Sequence, residues 1–150
     1  MMDLSRGETI TEREAREVIL LVARDELSVT WSRYGPGERG PDPHVHREHT
    51  DSFYVLEGEL AFTLGPERER VTARAGCFVA VPPNLVHSFV NDGGTDARFL
   101  NVHTPDGGFA AFMRGRRDGR DVSFDSFDPP ADGGRPAAEA TVGRPGVAWT

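Results

Sequence analysis

Three histidines and an acid, His44, His46, His87 and Asp51, have the residue types and spacing from which a reactive centre can be built. Between Gly37 and Gly58 the chain reads GERGPDPHVHREHTDSFYVLEG: a His-x-His pair, four residues, Asp51, six residues, then Gly58. Between Gly76 and Asn91 it reads GCFVAVPPNLVHSFVN, which brings Pro82, Asn84, His87 and Asn91 into one short run. Neutral imidazole nitrogens beside a hard carboxylate oxygen suit a borderline divalent ion such as Mn, Fe, Co, Ni, Cu or Zn. On a strand alternate side chains share a face, so His44 and His46 point together with Val45 opposite. Asp51 lies at an odd offset from His46 and would face away on a continuous strand. The polar run 47–50 is therefore expected to turn, after which Asp51 opens the next strand and faces inward again. Glu48 and His49 then face solvent and rank below Asp51 as ligands. His87 arrives from a distant strand, with Phe89 on its own face. Four inward groups on three strands can enclose one ion and leave positions open for water or substrate.

These two segments resemble the paired motifs of the cupin superfamily. The family's first motif has Gly, His-x-His, a Glu a few residues on and a closing Gly. His44, His46, Asp51 and Gly58 take those places, with Asp where Glu is usual. The second motif has Gly, Pro, Gly, His and Asn. Gly76, Pro82, Asn84, His87 and Asn91 match it, with Asn84 in place of the middle Gly. Asn is among the few residues that tolerate the left-handed conformation a turn Gly supplies. Motifs and surrounding strands cover residues 17–105, and the small single-domain organisation is similar to quercetin dioxygenase-like cupins. The resemblance implies a double-stranded β-helix, that is a jelly-roll barrel, a divalent metal at His44, His46 and His87 with Asp51, and a homodimer. Asp51 is a methylene shorter than Glu and reaches about 1.5 Å less far. Three roles therefore stay open for it: metal ligand, holder of a metal-bound water or substrate proton, or a salt bridge at the barrel rim.

The surrounding chain is read as all-β. Residues 17–23 and 27–33 flank Asp25-Glu26 as a hairpin. His44 and His46 mark a short strand after the Gly/Pro-rich loop 35–43. Further strands are expected at 52–56, 59–64, 68–73, 77–81, 87–90 and 97–103, with Leu60, Phe62 and Leu64 alternating toward the core. Strands this frequent, with almost no helix between them, indicate an antiparallel sandwich or barrel. The run VILLVA (18–23) fits a buried strand. After Gly107-Gly108, the segment FAAFMR repeats apolar residues at helical spacing and predicts a short helix on the barrel. The cupin domain is placed at 1–114 and a C-terminal extension at 115–150. Residues 128–150 hold Pro and Gly without periodicity, so a mobile tail is the expectation. Phe124, Phe127 and Trp149 are the residues that could pin it.

Composition excludes several classes. A formal charge of −7 argues against nucleic-acid binding, which needs a basic patch for phosphates. All 17 basic residues are Arg, which suggests GC-rich bacterial coding. One cysteine, Cys77, cannot form an internal disulfide, and the polar start lacks signal-peptide character, so a cytoplasmic location is expected. Cys77 is read as a small strand residue. His103, near the end of its strand, is expected at a solvated rim, and Trp31 and Tyr54 in the barrel wall. Three functional classes fit the motifs. The first is a metal-dependent dioxygenase acting on a small oxygenated molecule, with Asp51 as catalytic residue and walls from Phe53, Val55, Phe62 and Phe89. The second is a redox-neutral metal-dependent isomerase, lyase or hydrolase, and the third a non-catalytic small-molecule binder.

Overall fold

Residues 6–146 are described by a computed structural model. Strands β1 (Glu8–Arg13), β2 (Arg16–Arg24), β3 (Leu27–Tyr34), β4 (Thr50–Glu57), β5 (Glu59–Leu64), β6 (Glu69–Arg74), β7 (Phe78–Val81), β8 (His87–Val90) and β9 (Ala97–Thr104) precede helix α1 (Phe109–Asp118), and β10 (Thr141–Gly143) follows it. They form a seven-stranded sheet in the order β1-β2-β3-β9-β4-β7-β10 and a three-stranded sheet β6-β5-β8, with every pairing antiparallel. The sheets pack through aromatic rings: Phe53 on β4 lies 4.9 Å from Phe62 on β5 and 5.1 Å from Phe89 on β8. This is the jelly-roll barrel.

Strand alternation divides the inner face of the large sheet into two ends. Register pairs Val55 with Phe99 and Phe99 with Ser32, then Phe53 with Asn101 and Asn101 with Thr30, then Asp51 with His103 and His103 with Ser28. The inner face thus passes from apolar to polar and acidic within three cross-strand rows. On β3 alternation places Ser28, Thr30, Ser32 and Tyr34 inward and Trp31 outward. Hydrophobicity alone would turn that strand over; the polar interior it faces explains why it is not.

Several expectations are corrected. β1 forms from a polar segment in which only Ile10 is buried, as an edge strand paired to β2. VILLVA is not buried on both faces, because Val18 and Leu20 point inward while Leu21 stays exposed. His44 and His46 do not lie in a regular strand. Pro41 and Pro43 remove donors on one side, leaving isolated bridges of His44 to His87 and Val45 to Phe127. Cys77 sits half-buried just ahead of β7. Helix α1 runs through the expected 114/115 boundary. Beyond it the described chain returns to the barrel, where β10 pairs with β7 and Arg135 N donates to Asn84 O at 2.8 Å. Trp149 lies outside the described residues. Among them no helix is long and apolar enough to cross a membrane.

Three motif residues have positive φ. Asn84 has φ 64°, the conformation anticipated for the position where the family motif has Gly. Gly58 has φ +72°, and a Cβ there would meet Asp96 O at 2.3 Å. Gly76, at φ +91°, has open space instead. Gly58→Ala should therefore cost more than the roughly 1–3 kcal/mol of a strained left-handed residue, and Gly76→Ala no more than that. Denaturant unfolding of both variants checks the order; equal losses would show that the Asp96 contact relaxes freely.

Candidate metal centre

His44, His46, Asp51 and His87 come together as the sequence anticipates, each offering a ligand atom within 4.8 Å of the others. All four are buried. Asp51 follows Thr50 at the start of β4, and His87 opens β8. His44 is tied to the latter through its backbone, since His44 N donates to His87 O (3.2 Å) and His87 N to His44 O (3.0 Å). Donors about 2.0–2.2 Å from a shared ion stand roughly 3–4 Å apart, so little closing is required.

The outer ring nitrogens decide the protonation of the inner ones. Nδ1 of His44 lies 2.8 Å from Asp42 O, Nδ1 of His46 2.7 Å from Asp125 O, and Nδ1 of His87 2.9 Å from Leu85 O. A carbonyl only accepts, so each Nδ1 carries the hydrogen and each neutral ring turns a lone pair at Nε2 inward. Nε2 of His46 and of His87 face Asp51 Oδ2 at 3.2 and 3.0 Å. Lone pairs and a carboxylate thus converge with no donor among them unless a ring takes up a proton. A cation placed there satisfies the whole set, so these residues fit a divalent metal. The remaining alternative of an exposed rim salt bridge does not match Asp51, which is 4% exposed.

The electrostatics have the same origin. Burial pushes the Asp51 carboxyl up, but the charge of His103 and the hydrogen bonds of His46 and His87, each acting when its ring takes up a proton, outweigh burial and hold the carboxyl well below the usual range. Burial lowers His46, yet the Asp51 hydrogen bond and charge raise it overall. His44 falls to about 3, through burial and then the charges of His87 and His46.

Beside this centre stands a second set of side chains that the motifs do not announce. His49 is 1% exposed rather than solvent-facing, and His103 is 2% exposed and lines the cavity rather than the rim. Asn101 Nδ2 donates to Asp51 Oδ1 (2.6 Å) and Ser52 O (3.0 Å), which turns its Oδ1 to His103 Nε2 at 3.0 Å. His103 Nδ1 meets His49 Nε2 at 2.8 Å, and His49 Nδ1 meets Asp125 Oδ2 at 2.8 Å. These three contacts each need a hydrogen, whereas two neutral imidazoles carry only two. Burial, then the His46 charge, lowers His49, and burial lowers His103 to about 4, so near neutral pH the third place is open. Asp125 is itself anchored by Arg47 N (2.9 Å) and Glu48 N (2.8 Å). The period-two spacing of Phe99, Asn101 and His103 could have revealed the β9 members. Nothing local points to Asp125, which sits 79 residues from His46.

The centre opens into a cavity of about 560 Å³. Of the expected walls only Phe89 lines it; Phe53, Val55 and Phe62 lie in the core behind. Phe99 from the barrel and Phe109, Phe112 and Phe124 from α1 and the segment after it complete the lining. His103 is stacked on Phe109 with ring centroids 3.7 Å apart. Trp31 and Tyr54 stay outside it.

Comparison with known proteins agrees with this geometry. Residues 30–103 match the Cupin domain family model. Over 66 residues the chain is 41% identical to quercetin 2,3-dioxygenase of Bacillus subtilis, covering 43% of this chain and 19% of that protein. It thus spans about a fifth of the length of that curated relative. An RmlC-like cupin from Shewanella frigidimarina superposes with a TM-score of 0.57 at 24% identity, covering 67% of this chain and 85% of the other. A sugar phosphate isomerase of the cupin superfamily from Silicibacter pomeroyi gives 0.54 at 25% identity, covering 63% and 62%. With both motifs in order, the jelly-roll barrel around them and the domain match across it, the chain belongs to the cupin superfamily.

Proposed function

We propose that His44, His46 and His87, with Asp51, hold one divalent transition metal and that the protein is a metal-dependent dioxygenase acting on a small oxygenated organic molecule. The observation that carries the metal is the set of inward acceptors with no donor among them. The similarity to a quercetin dioxygenase supports the oxidative reading. When bound, such an ion supplies Lewis acidity and, if redox-active, a route to O₂ chemistry. The protein's own residues do the remaining work. Backbone carbonyls of Asp42, Leu85 and Asp125 fix the rings, and the aromatic lining excludes water and suits a planar ligand. Asp51 completes the ligand set or takes a substrate proton, and the His49–His103 pair offers that proton a second place. This pair also favours the alternative, a redox-neutral isomerase, lyase or hydrolase, because proton movement alone serves it.

Metal-replete wild type should hold about one ion per chain, and His87→Ala should lose most of it by mass spectrometry. Affinity should fall with acidification. His46 is raised above its ordinary value near 6.5, so as pH drops through that region a proton competes for Nε2. Equal, near-zero metal in both proteins after reconstitution would sink the assignment.

Asp51 has a separable test. As a ligand it should lose metal affinity roughly tenfold or more on Asp51→Ala and keep it in Asp51→Glu. As a base it should keep metal and lose turnover. Unchanged metal and activity in the alanine variant would remove it from the site.

The reaction class is tested by oxygen uptake coupled to loss of an enediol or flavonol substrate, with His44→Ala as the blank. Turnover that persists unchanged under strict anaerobiosis would transfer the protein to the redox-neutral class.

A further inference from the structure

The charged lining of the cavity is one-sided. The chain has 24 acidic residues against 17 arginines, yet apart from histidines the charged side chains lining the cavity are Arg13, Arg16, Arg39, Arg116 and the buried Asp51. These arginines are incompletely neutralised. Arg13 and Arg16 share one carboxylate, Glu38, at 3.0 and 2.6 Å. Arg39 has Asp42 at 3.6 Å, with side chains 69% and 93% exposed, a pairing worth little in water. Arg116 has no carboxylate partner among the described residues and stands 5.7 Å from the Phe112 ring. Four guanidiniums against Glu38, Asp42 and the buried Asp51 still leave a surplus of positive charge in an acidic protein. Part of it is held rigidly. Arg16 lies 4.2 Å over the Tyr34 ring and donates to the Arg39 carbonyl as well as to Glu38. Its planar fork is therefore pre-oriented, which lowers the entropy lost on pairing with an oxyanion.

We propose that the cavity takes an organic anion: a largely apolar, ring-bearing molecule whose acidic group is received by the arginines while its other end reaches toward His44 and Asp51. The chemistry of the lining supports each half. Phe89, Phe99, Phe109 and Phe124 supply aromatic surface for the body. The arginines supply the only concentration of positive charge along the cavity, where a chain of net charge −7 would otherwise repel an anion. The proposal rests on this cavity being the substrate site, and it narrows the substrate from oxygenated organic molecules to acidic ones.

A matched pair of dyes separates charge from ring. 8-Anilinonaphthalene-1-sulfonate and N-phenyl-1-naphthylamine share their rings and differ by the sulfonate. Fluorescence titration of the metal-free full chain at low salt should show the sulfonate bound about tenfold tighter. In Arg39→Gln/Arg116→Gln, two exposed positions outside the core, the preference should shrink to about twofold. Arg39→Glu/Arg116→Glu should reverse it, and about 0.5 M salt should narrow it in the wild type. Equal affinities in the wild type, a preference that survives charge reversal, or no binding of either dye would overturn the proposal. Metal and oxygen play no part in the measurement. Its failure leaves the metal assignment standing, and a wild type that cannot hold metal leaves the anion site standing.

Discussion

A carboxylate buried among inward-facing acceptor nitrogens is the constraint on which the rest of this molecule depends. An isolated ionised acid inside a protein is costly, and several kcal/mol of desolvation remain unless positive charge or donors reach it. Asn101 is the one amide donor directed at Asp51. The rings beside it are oriented by carbonyls so that in their neutral form they bring lone pairs, not hydrogens. Charge must therefore enter as a proton or as a metal. Three independently anchored imidazoles arranged around one small volume favour the ion, because each would have to be charged to play the donor, and like charges at this separation oppose one another.

The barrel meets that constraint by separating its interior along the strands. At one end Phe53, Val55, Leu60, Phe62 and Phe99 are almost fully buried, each contributing on the order of 1.5–3 kcal/mol. At the other end alternation continues unchanged while the residue types switch to His, Asp, Asn, Ser and Thr. All five histidines of the chain are buried there. The same register that packs Val55 against Phe99 sets Asp51 beside His103, so the apolar rows are what hold the polar row in place.

How much of this was legible in the sequence follows from how local each signal is. Motif spacing brings out His44, His46, Asp51 and His87 because these candidate ligands sit within short runs whose faces follow from period two. Of the four expected wall residues Phe89 lines the cavity, but Phe53, Val55 and Phe62 lie deeper on the inward side, and depth along a barrel is invisible to alternation. A turn through 47–50 predicts solvent exposure for His49. It is buried because Asp125 caps that turn from far along the chain. β3 ran against hydrophobic patterning because its inward face serves a polar cavity.

Asp125 also changes what the C-terminal segment is for. Composition alone gave it little reason to pack, since few apolar residues are available to offset its ordering entropy. The described portion is held instead by polar and aromatic contacts at the centre. Its backbone carbonyl fixes the His46 ring, its carboxylate receives two amide hydrogens and the His49 ring, and Phe124 closes the cavity 5.6 Å from Phe109. A segment that supplies a carbonyl to a candidate ligand and a wall to its cavity belongs to the site as fully as the barrel strands do. Truncation before Ser123 would remove the hydrogen-bond acceptor that sets the His46 tautomer, and with it the direction in which that imidazole presents its lone pair.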